Sequence, residues 1–255
     1  MVRPARYGLR VDADALVEVC FATAVAVRRA LDGIDDWGPA GTRAGQYLSD
    51  LAADEAALTV LESAGLGVVS EESGVHRGDR PLIAVLDPVD GSTNAARRIP
   101  WFATSVCVVD SDGPLAAAVV NQATGERFWA TRGGGAFGER GPLAPAPTLA
   151  LADSVVAISG LTAHLGWRQF RALGACALDL CAVAGGQIDA YVDATRPAAH
   201  APWDYLGGWL ICEEAGAVSA DAGGEALPVH GHADRRSPVA AATPALLEEI
   251  FWKIG

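Results

Sequence analysis

The chain has 255 residues, 51% hydrophobic and 20% charged, which is enough for one large domain or two closely packed ones around a substantial core, and disorder is excluded as a default. Nineteen Lys and Arg stand against 31 Asp and Glu, a formal net charge of −12. Basic residues cluster only as pairs (Arg28-Arg29, Arg97-Arg98, Arg235-Arg236), so the balance argues against nucleic-acid and membrane partners.

Asp12, Asp14 and Glu18 precede apolar positions at helical spacing (Leu16, Cys20, Ala24, Val27, Leu31). The pattern predicts a globular amphipathic helix over about 14–31 rather than a secretory signal, despite Arg3, Arg6 and Arg10 before the apolar stretch 19–27. A polar loop, 32–45, leads to a second helix over about 49–63. Short apolar runs at 67–70 and 82–86 read as buried strands. Strands at 104–109, 115–121 and 126–131, separated by Asp110-Ser111-Asp112-Gly113 and Ala123-Thr124-Gly125, form an antiparallel meander. Pro142, Pro145 and Pro147 mark a junction, dividing the chain into an N-terminal α+β part, 1–145, and a C-terminal α/β part, 146–255. The second part reads as a strand (155–159), a helix interrupted near Gly174 (166–184), a strand (188–192), a helix (203–215) stopped by Gly216, then a strand (239–242) and a helix (245–252). The five cysteines are odd in number, scattered and without paired two-residue spacing, as expected of reduced thiols in a cytoplasmic protein. No apolar run is long enough to span a bilayer.

The chemistry concentrates after the strand at 82–86. Asp87-Pro88-Val89-Asp90-Gly91-Ser92-Thr93-Asn94 presents two carboxylates three residues apart, then glycine and two hydroxyls, a set suited to a hard cation holding a phosphate. Taken alone, the segment is also an ordinary turn. A second acidic cluster, Ser70-Glu71-Glu72-Ser73-Gly74, likewise follows a short strand. Adjacent strands ending in carboxylates crowd like charges, which cations relieve, and oxygen-only donors favour magnesium or manganese. Pro202-Trp203-Asp204 opens a helix and adds a third acidic position, though an Asp in a first helical turn commonly just complements the helix dipole.

These segments together resemble the inositol monophosphatase family, whose signatures are Asp-Pro-x-Asp-Gly-Ser/Thr-Thr-Asn and a later Trp-Asp at a helix start. Gly133-Gly134-Gly135-Ala136-Phe137, Ala177-Leu178-Asp179-Leu180 and Gly186-Gln187-Ile188-Asp189-Ala190-Tyr191 are similar to further family segments, so the likeness runs from about residue 12 to 242. The resemblance implies a layered α/β sandwich of the sugar-phosphatase type, with alternating helix and sheet layers, and a lithium-sensitive phosphomonoesterase using two to three magnesium ions. By motif, Glu71, Asp87 and the Val89 carbonyl would hold one ion. Asp87, Asp90 and Asp204 would hold a second, and Glu71 a weaker third. Ser92 would orient the attacking water with Asp54 as its carboxylate partner, Asp50 being the competing candidate. The N–H groups of Gly91, Ser92 and Thr93 would face the phosphate. The family also implies a homodimer.

Inositol-specific members carry a glutamate seven positions before the metal-binding Asp; here that position is Pro197. Arg196 and His200 in the same loop are candidates for a second anionic group of the substrate, against the plainer reading of a solvated loop pair. The family's lysine before the second helix has at best Arg43 in its place. The leading expectation is therefore a small phosphorylated metabolite, an inositol or other sugar or polyol monophosphate. Phosphoadenosine phosphate, histidinol phosphate and fructose bisphosphate stand as alternatives, and a non-catalytic phosphate- or metal-binding regulator as a different class. An aspartyl-nucleophile phosphatase needs two Asp one residue apart, which Asp87 and Asp90 are not. Trp37, in the acidic loop, is a candidate lid, and His230 and His232 read as a solvated loop.

Overall fold

A computed structural model describes residues 12–42, 45–195 and 197–254. The arginines at 3, 6 and 10 lie outside the described residues, as do Arg43 and Arg196.

The first helix, α1 (Ala13–Asp32), begins where Asp12 Oδ1 accepts the N–H groups of Asp14 and Ala15, and its buried stripe is the predicted one. It packs against α2 (Leu48–Ser63), and both cover one face of a large sheet. That sheet comprises β1 (Gly67–Ser70), β2 (Gly74–His76), β3 (Ile83–Asp90), β4 (Ala103–Asp110), β5 (Gly113–Asn121), β6 (Arg127–Thr131), β7 (Gly135–Gly138) and β8 (Gly141–Pro142), with the short helix α3 (Ser92–Ala96) after β3. Strand order is 2-1-3-4-5-6-7-8. All pairings are antiparallel except β1 with β3, and β4, β5 and β6 form the expected meander. β3 and β4 are buried almost end to end, because helices cover both faces of the sheet.

The second sheet contains β9 (Val155–Ser159), β10 (Gln169–Arg171), β11 (Ala190–Asp193), β12 (Val218–Asp221) and β13 (Pro238–Ala241), in the order 10-9-11-13-12. β10, β9 and β11 run parallel, while β13 pairs antiparallel with β11 and β12. Between the sheets lie α4 (Cys176–Ala184) and α5 (Pro202–Ala215), and α6 (Pro244–Ile254) covers the outer face of the small sheet. The layers therefore alternate as the resemblance implied. Three apolar clusters correspond to the interfaces, and the largest joins residues of both sheets around α4 and α5, so the two halves of the chain share one core.

β2 and β12 lie where no strand was expected, and the expected helix over 166–184 is only partly present. Residues 166–175 are not helical; they hold the edge strand β10 and an extended approach to α4. Gly166 and Gly174 both take positive φ, 112° and 85°, which a helix does not use. No helix among the described residues is long and apolar enough to cross a membrane.

Candidate active site

β1 and β3 are parallel neighbours with Ser70 opposite Leu86, so Glu71 and Asp87 leave the two strands side by side, and the Glu71 N–H donates to the Leu86 carbonyl at 3.1 Å. Residues three apart on a flat strand point to opposite faces. Here the β3–β4 ladder shifts between Asp87, opposite Ser105, and Asp90, opposite Ala103. The extra residue is a bulge of the kind that re-aims a side chain, and it contains Pro88, which has no N–H to contribute to the ladder. Thr104 Oγ1 donates to the Pro88 carbonyl at 2.9 Å, and Asp87 Oδ1 accepts the Val89 N–H at 3.0 Å, so the bulge is braced from both sides.

Asp204 arrives from the first turn of α5, where its Oδ2 accepts the Ala201 N–H at 2.7 Å. One carboxylate oxygen from each of Glu71, Asp87 and Asp204 lies within 4.8 Å of the others. Asp87 and Asp90 are only 2% and 7% exposed. Burial first, then the charges of Glu71, Asp90 and Asp204, push the Asp87 pKa well above the ordinary carboxylate range. Asp90 is pushed up by burial and by Asp204, against the pull of the Ala177 N–H. Asp204 is raised by burial, opposed by His200 and the Ala201 N–H. Such crowding is relieved by a bound cation, and an all-oxygen carboxylate donor set fits a hard divalent one. Asp90 also caps α4 from across the cleft, because its oxygens accept the N–H groups of Cys176 (3.2 Å) and Ala177 (2.7 Å).

Gly91 takes φ +85° at the start of α3, and a Cβ there would sit 3.0 to 3.1 Å from Gly174 O, Ala175 Cβ and Trp101 O. Glycine is required on both counts. Ser92 and Thr93 occupy the first turn of α3, and the Thr93 hydroxyl lies 3.3 Å from that of Tyr47. Asn94 Nδ2 donates to the carbonyls of Trp101 and Leu173, both at 2.7 Å, tying the motif to the segment preceding α4.

The expected pairing of Asp54 with Ser92 is not what the structure shows. Asp54 lies on the face of α2 packed over the end of β1, and there its Oδ1 accepts from the Ser70 hydroxyl, which in turn accepts the Glu72 N–H at 3.1 Å. Asp54 thus braces the acidic turn, while Asp50 accepts the Tyr47 N–H at the start of α2. Ser92 makes no side-chain hydrogen bond among the described residues. Trp37 is half-buried and packs against the apolar cluster that α1 and α2 share with the large sheet. His232 stands 5.0 Å, ring to ring, from Trp203.

A cavity of about 400 Å³ opens beside Asp90 and Asp204, at the carboxyl ends of the parallel strands β9 and β11. Asp179, Tyr191, Cys176 and His200 form its inner wall. His200 is not a solvated loop residue: its Nδ1 is 3.1 Å from Asp193 Oδ2 and its Nε2 3.1 Å from the Tyr191 hydroxyl. Burial alone would lower its pKa, and the Asp193 hydrogen bond and surrounding carboxylates raise it instead. Asp179 holds Trp101 Nε1 at 2.9 Å, and burial raises its pKa to about 7. The signal for Asp179 was present in the sequence, as the one charged residue in the otherwise apolar stretch 176–184.

Residues 49–254 match the model of the inositol monophosphatase family. The chain belongs to that family. It is 34% identical over 237 residues to a fructose-1,6-bisphosphatase/inositol-1-monophosphatase of Methanothermobacter thermautotrophicus, covering 80% of this chain and 81% of the relative. It is 31% identical over 229 residues to the Nus factor SuhB of Pasteurella multocida, covering 80% of each. Among solved structures, an extragenic suppressor from Pyrococcus furiosus superposes with a TM-score of 0.81 at 29% identity, over 93% of this chain and 99% of that one. The inositol monophosphatase family member is thus a phosphoric monoester hydrolase of a metal-dependent class, with an acidic cluster placed to hold metal.

Proposed function

We propose that the enzyme hydrolyses an inositol, sugar or polyol monophosphate with magnesium, manganese being the substitute ion. The observation that carries this reading is the convergence of Glu71, Asp87 and Asp204 within 4.8 Å of one another, with Asp204 and the nearby Asp90 also lining a cavity sized for a small metabolite. Glu71, Asp87, Asp204, Asp90 and the Val89 carbonyl would hold the ions. When bound, magnesium offsets charge on the phosphoryl oxygens and lowers the pKa of water.

The protein's own groups do the rest. Gly91, Ser92 and Thr93 turn N–H groups of the first turn of α3 toward the phosphate, and the Ser92 hydroxyl, uncommitted among the described residues, is available to orient water. The cavity beside Asp90 and Asp204, with Asp179 in its wall, receives the alcohol portion of the substrate. Support for an inositol or sugar phosphate comes from relatives named for both substrates. The family resemblance supports a homodimer.

Phosphate release from inositol, sugar, nucleotide and histidinol phosphates, each with magnesium and with chelator, tests this. Magnesium-dependent release from the inositol and sugar members is the expected result. Release unaffected by chelator, or none from any member, contradicts it.

A further inference from the structure

The acidic cluster depends on Asp204, and just before α5 the chain runs through residues 197–201, outside any helix or strand. The His200 side chain anchors its end. His200 is 13% exposed, with Nδ1 on the fully buried carboxylate of Asp193 and Nε2 on the Tyr191 hydroxyl, each at 3.1 Å. Its backbone is tied as well: the His200 N–H donates to the Arg236 carbonyl at 3.2 Å, and the Arg236 N–H donates to the His200 carbonyl at 2.7 Å. The very next residue, Ala201, donates the N–H that orients Asp204 Oδ2. Both ring nitrogens are engaged inside the protein, so neither is spare for a substrate.

We propose that His200 is a positioning residue for Asp204: clamped between Asp193 and Tyr191, it sets the entry of α5 so that the Asp204 carboxylate joins Glu71 and Asp87 in one divalent-metal site. The inference rests on the proposed metal site. It assigns the Asp193-His200-Tyr191 chain a role two steps behind the ligands, acting through the Ala201 N–H, so the about 10- to 100-fold that direct ligand partners contribute to metal affinity is its ceiling.

Calorimetric titration of the chelator-stripped, full-length protein with magnesium chloride tests it, with the fold of each variant checked by circular dichroism. His200→Ala is expected to weaken magnesium binding by about 10-fold. His200→Gln, which can still meet both partners, is expected to recover most of that loss. His200→Ala leaves the buried Asp193 charge without its partner. Should that variant fail to fold, Tyr191→Phe, which removes one anchor and no charge, is expected to weaken binding several-fold by the same argument. Folded His200→Ala and Tyr191→Phe proteins that bind magnesium like the parent overturn the proposal. So does a raised KM for substrate at unchanged magnesium affinity, which would make His200 a substrate contact. A parent protein that binds no magnesium is a different failure: it removes the metal site itself, before any variant is compared.

Discussion

Asp90 serves two neighbours at once, a cluster of carboxylates and the first turn of α4. Asp90→Asn keeps one acceptor for that turn while removing the charge, so the fold should survive with turnover down by roughly 100-fold or more; circular dichroism beside a phosphate-release assay checks both halves. Asp179 titrates in a readable range. Its folded-state pKa of about 7 lies above the unfolded value near 4, so the folded protein holds the extra proton. Its favourable contribution is therefore complete below about pH 4 and is lost as pH rises through about 7. Asp179→Asn, still able to accept from Trp101, should raise the melting temperature clearly more at pH 8 than at pH 4, where the acid is protonated in the folded state; equal shifts at both would refute the assignment. The carboxylates of the Asp-Pro-Val-Asp-Gly segment stood out only together with the acidic run at Glu71-Glu72 and the Asp204 helix start, since alone the segment also reads as a turn. The partner of Asp54 was not, because which hydroxyl a helical carboxylate meets depends on how α2 lies over the sheet, and the hydroxyl it meets is Ser70.

Elements were legible where a single periodicity ran unbroken. α1, α2 and β9 fall within a residue of the expected spans, and α5 starts one residue early at Pro202, a favoured first helical position. The segment 166–175 reads as helix because its apolar residues mimic a helical stripe, while the φ angles of its glycines are set by tertiary packing. The bulge in β3 is equally invisible in the sequence, since it exists only against the register of β4. Gly91→Ala tests the tightness of that corner: the left-handed φ and the 3.0 Å approach to Gly174 O predict a loss of at least about 1–2 kcal/mol in a denaturant melt. At the far end of α5, Glu214 accepts the N–H groups of Gly133 (2.7 Å) and Gly135 (2.9 Å), joining that helix to the β6–β7 turn. Glu214→Ala should cost about 1 kcal/mol or more in the same melt and leave magnesium affinity unchanged, because these bonds lie away from the acidic cluster.

At the scale of the whole molecule, the proposed ligands come from two layers: Glu71 and Asp87 from neighbouring strands of the large sheet, Asp204 from a helix held between the sheets. Folding therefore assembles like charges. With the Asp87, Asp90 and Asp204 pKa values all raised, the metal-free protein gains most from these groups when they are protonated and loses that contribution as pH rises through their folded values. Divalent metal should restore it, so the melting-temperature increment from magnesium should grow with pH. On the proposed function, this cluster drives phosphate-ester hydrolysis through bound metal. The most direct test is the rate of phosphate release from inositol and sugar monophosphates by chelator-stripped protein as magnesium is added back, in the parent and in Asp87→Asn. No release is expected without metal, with saturable recovery in the parent and none in the variant; full activity in the stripped parent, or normal recovery in Asp87→Asn, would contradict metal-driven hydrolysis at this cluster.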